Sequence, residues 1–381
     1  MKKSPLIVVG AGLFGLTLAR ELSSKANMEV TIIEKRNHVG GNAYSYVDPA
    51  TGLEVHKYGA HIFHTDSFRI WDYATKISPF RSYDHRVLAH RDGEFYPFPI
   101  NLQTIGLVRG EKTSPVTARK YLHEQGAGSF RHATNFREQA INTVGRELYE
   151  LFFRDYTQKQ WNTDPESLPR HYASRIPLRL DYGRSYFTDE YVGLPASGYA
   201  DWISSFLPRR VKVFLETDYL EISGEIDPAI PVVFTGPLDA YFKFKHGSLG
   251  WRTVDFELET VRIKDGLPSA VVNETNSDNP CTRRHDFSRY LEDYKGDSTV
   301  VAHEYSRFAG SSDEPYYPVN TPKDRQILKQ YIAEIENLQR VRPIWFGGRL
   351  GSYKYLDMHM AMASALTMSD RVWSYISRLG C

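Results

Sequence analysis

The chain has 381 residues, enough for two or three domains and for a large core without disulfide or metal staples. It is 41% hydrophobic, 13% aromatic and 24% charged, which excludes a disordered or collagen-like chain. With 47 basic and 46 acidic residues the formal net charge is +1, far from the cationic excess of a general nucleic-acid coat or membrane-surface binder, so neither nucleic acid nor membrane is an expected partner.

In chain order, Lys2 and Lys3 precede an apolar run over 6–19 that superficially resembles a secretory leader. That run contains Gly10, Gly12 and Gly15 and leads into Arg20 and Glu21, so it reads as folded structure. No other segment has the ~18 apolar residues that span a bilayer. The apolar stretch 6–9 reads as a strand buried on both faces, 13–24 as a helix with Leu16, Ala19 and Leu22 on one side, and 30–33 as a second strand, which makes a βαβ unit. The segments 87–90 and 94–96, joined at Asp92-Gly93, read as a hairpin. Residues 136–153 read as one helix carrying Ala140, Val144, Leu148 and Leu151 about a turn apart. Residues 162–184, rich in proline and charge, read as a mobile loop with short helices. Further strands are expected at 211–214, 232–234, 254–256, 298–302 and 342–346, and helices at 324–338 and 358–379. The two cysteines, Cys281 and Cys381, have no CxxC partner, so a disulfide framework or zinc ribbon is excluded and a reducing, cytoplasmic compartment is expected.

Gly10-Ala11-Gly12-Leu13-Phe14-Gly15 is a GxGxxG run set between a strand and a helix, the context in which glycines admit a pyrophosphate to a helix N-terminus. Glu34 ends the second strand about 20 residues on, where a carboxylate accepts ribose hydroxyls and argues against a 2′-phosphate. Gly40-Gly41-Asn42 follows a charged patch and resembles the second fingerprint of glutathione-reductase-like flavoproteins, which ranks FAD above NAD. Gly347-Gly348-Arg349-Leu350-Gly351 suits a late return to the same cofactor, with the amides of the helix near Asp357-Met358 facing it; a turn with a helix cap at Asp357 is the alternative.

Phe152, Phe153, Tyr156 and Trp161 put four rings into one short segment, fit either to stack on a flat base or to end a core helix. Arg175 and Arg283, far apart in sequence, could clamp a diphosphate or serve as surface ion pairs. His56, His61 and His64 lack a completing ligand pattern, so ring contacts to cofactor or substrate are expected and metal is not. No nucleophile elbow, kinase loop or zincin motif occurs.

Taken with Arg36-Asn37-His38-Val39-Gly40-Gly41-Asn42-Ala43-Tyr44, Tyr58-Gly59-Ala60-His61-Ile62-Phe63-His64-Thr65, Tyr156-Thr157-Gln158-Lys159-Gln160-Trp161, Pro315-Tyr316-Tyr317-Pro318 and the run from Gly347 to Met358, the chain resembles the bacterial UDP-galactopyranose mutase family through nearly its whole length. The resemblance implies an α/β fold: a Rossmann-like FAD-binding domain over 1–79, 196–245 and 332–381, a helical domain with the mobile substrate loop over 100–195, and an antiparallel β-sheet domain over 80–99 and 246–331. It implies FAD held by Gly10, Gly12, Phe14, Gly15, Glu34, Lys35, Gly41, Asn42, His61, Ile62, Tyr219, Gly348, Arg349, Leu356, Asp357 and Met358. It implies a UDP-sugar held by Phe152, Phe153, Tyr156, Thr157, Trp161, Tyr186 and Asn273, with Arg175, Arg283, Tyr317 and Tyr355 on the diphosphate and His64 near the flavin.

The implied reaction is net non-redox interconversion of UDP-galactopyranose and UDP-galactofuranose by an isomerase. Nitrogen-5 of reduced FAD attacks the anomeric carbon and displaces UDP. An external reductant such as NAD(P)H or a reductase, and a homodimer, are implied with it. Two departures bear on the sugar: His85 stands where the family usually has Asn, and Cys281 where it usually has Tyr, so a different UDP-sugar stays open. A flavin oxidoreductase of similar fold and a silent nucleotide-sugar-binding flavoprotein are the competing readings.

Overall fold

The computed structural model describes residues 6–25, 28–176 and 178–378, without the side chains of Ser174 and Arg175. Lys2, Lys3 and Cys381 fall outside the described residues, as does the side chain of Arg175.

A five-stranded parallel sheet forms the first layer, in the order Val211–Phe214, Val30–Ile33, Leu6–Val9, Val232–Phe234 and Ile344–Phe346. Its strands are short apolar runs because both faces are covered. On one face the helix Leu13–Lys25 packs against the terminal helix Met358–Arg378, through Leu16, Leu18 and Leu22 with Met362, Leu366, Val372 and Ile376. The two ends of the chain therefore lie side by side, and Lys25 Nζ closes an ion pair with Asp370 at 2.7 Å.

A seven-stranded sheet forms the second layer, in the order Tyr317–Pro318, Trp251–Arg262, Ser298–Phe308, Arg283–Asp286, Val271–Glu274, Val87–Arg91 and Glu94–Phe98. The hairpin at Asp92-Gly93 forms as expected, both residues taking a positive φ of 51° and 85°. The sheet expected to be antiparallel holds one parallel pairing, between Val271–Glu274 and Val87–Arg91. Strands expected at 254–256 and 298–302 run longer, to Trp251–Arg262 and Ser298–Phe308, because each supplies the other's hydrogen bonds over eleven residue pairs.

A helical layer of Leu102–Arg109, Pro115–Glu124, Phe136–Val144, Arg146–Phe152 and Arg154–Trp161 covers one end of this sheet. The single helix expected over 136–153 is broken at Gly145, whose φ of +77° is left-handed and whose added Cβ would lie 2.7 Å from that of Gln125. The apolar periodicity continues across the break because both helices face the same core of Ile105, Tyr121, Ile141 and Leu148. Among the described residues of 162–184, the helical elements are the short 3-10 turns Pro165–Ser167 and Arg170–Arg175.

Candidate functional site: a glycine cradle facing an arginine- and tyrosine-bearing sheet

The strand Leu6–Val9 delivers Gly10 at φ +98°, where a Cβ would lie 2.1 Å from Thr235 Oγ1. Gly15 packs its helix on the turn, since a Cβ there would lie 2.0 Å from Gly10 O. The second glycine run meets the first: Gly40 N donates to Ala11 O at 2.8 Å, and a Cβ on Gly41 would lie 2.9 Å from Gly12 Cα. The late run closes the third side, where a Cβ on Gly347 would lie 2.3 Å from the Phe14 ring. Three glycine segments from distant parts of the sequence thus bound one cradle with bare backbone, as a dinucleotide pyrophosphate requires.

Glu34 is buried at the cradle's edge and accepts from Ala11 N at 2.6 Å and Arg36 N at 2.8 Å, each carboxylate oxygen keeping a second lone pair. Arg36 donates to Asn42 Oδ1 at 3.0 Å, pairs with Glu314 and lies over the Tyr58 ring at 4.5 Å. Ile62 is buried in the main core, and Met358, which opens the terminal helix, packs against it. Two expected cofactor residues do not turn their side chains to the cradle. Lys35 is 79% exposed and sits 3.6 Å from Asp218. Tyr219 is buried against Phe234 in the core of the parallel sheet.

The facing surface is one side of the seven-stranded sheet, where directly paired residues share a face. Arg283 pairs in register with Glu304 and with Asn273, and Arg252 pairs with Tyr317. Arg283 Nε donates to Tyr156 Oη at 2.7 Å, and its Nη1 lies 3.9 Å from Glu304 Oε1. Burial by itself raises the Glu304 pKa, but Arg283 and hydrogen bonds from His285 and Thr282 outweigh it and hold the carboxyl below its ordinary value. Arg349 reaches in from the glycine run, donating to Tyr316 O at 3.1 Å and Leu356 O at 2.6 Å. Its guanidinium lies 5.6 Å from the Tyr317 ring and 5.2 Å from that of Tyr355, which stack on each other at 5.7 Å. Tyr355 shares a hydrogen bond with Asp357, so that carboxylate is engaged beside the ring rather than only at the helix start.

Arg283, Tyr156, Tyr317, Tyr355 and Arg349 therefore come together, and Tyr186 and His85 adjoin them. Tyr186 N donates to His85 O at 2.6 Å, and the His85 ring packs against those of Tyr186 and Phe187, which also touch each other. Burial pushes the His85 imidazole down to about 3 and that of His61 to about 4. His64 stacks on Phe187 at 4.0 Å with Nδ1 3.0 Å from Asp189. Among the described residues no group of three or more His, Cys, Asp or Glu is placed to hold a metal ion. The rings of Phe152 and Phe153 are buried against Tyr96 and Phe98, which is the core-helix alternative for that segment. Thr157 is buried beside them, and Trp161 packs on Tyr172 at 4.5 Å, whose hydroxyl donates to Val319 O at 2.5 Å.

Three residues of this face escaped the sequence reading. Arg252 is 1% exposed, bonds Ser306 Oγ through Nη2 at 3.1 Å and lies over Phe308. Glu304 is the buried counter-charge of Arg283, and His285 joins it through Nε2 at 3.0 Å. The i, i+2 spacing of Arg283 and His285 was the available signal, but it names a shared face only once a strand is assigned.

Fold and site together define a Rossmann-type, flavin-binding enzyme with a polar cleft beside the cofactor cradle. A model of the UDP-galactopyranose mutase family matches residues 151–355, and one of an NAD(P)-binding Rossmann-like domain matches residues 8–77. A probable UDP-galactopyranose mutase of Klebsiella pneumoniae is 37% identical over 99% of this chain and 97% of its own. A dTDP-fucopyranose mutase of Escherichia coli is 33% identical over 95% of this chain and 96% of its own. The crystal structure of a reduced UDP-galactopyranose mutase superposes with a TM-score of 0.73 at 16% identity, covering 98% of this chain and 95% of that one. The chain belongs to the UDP-galactopyranose mutase family and is an isomerase of that class. Family and fold imply FAD, and the cradle fits it, since bare backbone at Gly12, Gly41 and Gly348 leaves room that side chains would fill.

Proposed function

We propose that the chain interconverts UDP-galactopyranose and UDP-galactofuranose without net oxidation, using FAD in its reduced form. The observation that carries this reading is the cluster of Arg283, Tyr156, Tyr317 and Tyr355 beside Arg349, a cationic and hydroxyl-rich patch adjoining the glycine cradle. Bound and reduced, the flavin supplies a nucleophilic nitrogen-5 towards the sugar's anomeric carbon.

The chain's own residues do the rest. The three glycine runs, Glu34, Asn42, His61 and Arg349 hold and orient the cofactor. Tyr156, Thr157 and Asn273 form the uridine end over the buried rings of Phe152 and Phe153, which support it from the core side, with Trp161 above it. Arg283 and Arg175 hold the diphosphate as it departs and returns, and Tyr186, Tyr317 and Tyr355 donate to its oxygens. Neutral His61 and His85, with His64 beside them, border the sugar end, where water is excluded. An external reductant and a homodimeric state belong to the same proposal.

A second reading keeps the reaction type and changes the substrate, in sugar and nucleotide together. It is favoured by His85, a neutral ring packed against both Tyr186 and Phe187, and by similarity to a mutase named for dTDP-fucopyranose. Steady-state kcat/KM of the reduced, FAD-loaded protein on UDP-galactofuranose and dTDP-fucofuranose decides between them. At least a tenfold preference for UDP-galactofuranose is expected; the reverse preference transfers the assignment to the deoxysugar.

A further inference from the structure

Lys159 lies one helical turn beyond Tyr156 in the helix Arg154–Trp161. Its Nζ donates to four backbone carbonyls: Glu274 O, Asn276 O and Asn279 O at 2.8 Å and Cys281 O at 2.9 Å. An ammonium has three protons, so at least one is shared. Glu274 ends its strand just after Asn273, and the other three carbonyls belong to the loop that runs from there to Arg283. Four carbonyl oxygens converging on a point repel one another, and the loop holds that shape only around a cation. The helix is therefore fastened to the loop at both ends of one turn, by the Tyr156–Arg283 hydrogen bond and by the Lys159 cage. Arg91 adds a weaker tie, donating to Asp155 Oδ2 at 3.3 Å and Thr275 O at 3.0 Å. Burial lowers the Lys159 pKa from its ordinary value, with nearby carboxylates including Glu274 and Asp155 opposing the shift.

We infer that Lys159 is a positioning residue that fixes the loop between Asn273 and Arg283 against the Tyr156 helix and thereby sets nucleotide affinity. The inference rests on the reading of the cleft as a nucleoside-diphosphate site. It assigns Lys159 no contact with substrate; its effect passes through the placement of Arg283 and Asn273.

The test uses FAD-loaded protein in a Cys381→Ser background, with UDP as probe and buried Cys281 as an internal reporter. Lys159→Met and Lys159→Ala are expected to weaken UDP binding tenfold or more and to expose the Cys281 thiol to Ellman's reagent, with FAD retained. Ethylammonium, which carries three N–H donors, is expected to restore UDP affinity and thiol protection to Lys159→Ala, whereas tetramethylammonium is not. UDP binding within twofold of wild type in Lys159→Met, or equal effects of the two cations, overturns the inference. Should both variants fail to fold, Lys159→Arg serves: a threefold or greater loss of UDP affinity at an unchanged unfolding temperature supports it, and unchanged affinity overturns it. Wild-type protein that does not bind UDP, alongside a Lys159→Met thiol that becomes reactive, removes the nucleotide reading and leaves the loop fastening standing.

Discussion

Arg283 donates its Nε hydrogen to the Tyr156 hydroxyl at 2.7 Å, although the two are separated by 127 positions in sequence. The bond joins a sheet strand to the helical layer at the point where the two enclose the cleft. A hydrogen bond to a charged group contributes about 1.5–3 kcal/mol, or roughly ten- to a hundredfold in affinity. Tyr156→Phe is therefore expected to weaken UDP binding by about tenfold, measured by titration calorimetry. Arg283→Ala is expected to lose most turnover and keep its FAD; full activity in that variant would remove the diphosphate assignment.

Glu304 is buried and bonds His285 on one side while facing Arg283, whose side chain stays 34% exposed, on the other, so it offsets a guanidinium that water reaches only in part. Removing one partner of a fully buried pair costs about 3–5 kcal/mol because the other charge is stranded, and the partial exposure of Arg283 sets the cost here below that. Glu304→Leu should lower the unfolding temperature by about 2–5 °C, since an unfolding entropy of about 2.1 cal/mol/K per residue over 381 residues gives roughly 1.3 °C per kcal/mol. Glu304→Gln keeps the shape and should recover part of that loss but not UDP affinity. Calorimetric scans of the three proteins check this, and an unshifted Glu304→Leu would contradict it.

Acid should destabilise the fold through its buried imidazoles. Burial holds His85 down to about 3 and His61 to about 4, against 6.5 in the unfolded chain. Above pH 6.5 neither state binds these protons and they impose no penalty. As pH falls below 6.5 the unfolded chain takes up protons that the folded chain refuses until near pH 4 and then 3, so stability drops across that window, each unit of depression being worth about 1.4 kcal/mol. The unfolding temperature is expected to fall from pH 6.5 to 4, and less steeply in His85→Asn. Parallel profiles for the two proteins would contradict the placement of a neutral His85.

The contact between the first two glycine runs gives a cofactor test. A Cβ on Gly41 would lie 2.9 Å from Gly12 Cα, at a φ of +57°. Gly41→Val is expected to yield folded protein with FAD content reduced tenfold or more, read from flavin absorbance against protein absorbance. Stoichiometric FAD in that variant would remove the second glycine run from the cofactor site.

The Rossmann half was legible because its signals are local: four-residue apolar strands and glycines whose spacing survives in one dimension. The arginine- and tyrosine-bearing face of the large sheet was not. Arg283-Arg284-His285-Asp286 has no apolar alternation, yet it is a strand, because its polar side chains are satisfied by partners such as Glu304 and Glu274 far along the chain. Val271–Glu274 ends in a buried glutamate for the same reason, binding Arg284 and His90. Gly145 shows the opposite failure: helical periodicity persisted through a left-handed break because two short helices share one core. Tyr219, which the resemblance assigns to the cofactor, has its ring in the core, a direction that spacing does not encode.

The central claim is a net non-redox isomerisation that depends on reduced flavin. The most direct measurement incubates FAD-loaded protein with UDP-galactofuranose, once after dithionite reduction and once oxidised, and separates the products by anion-exchange chromatography. Conversion to UDP-galactopyranose by the reduced protein alone, with the flavin still reduced at the end, is the expected result. Equal conversion by oxidised protein, or flavin oxidation in step with substrate consumed, would contradict the account.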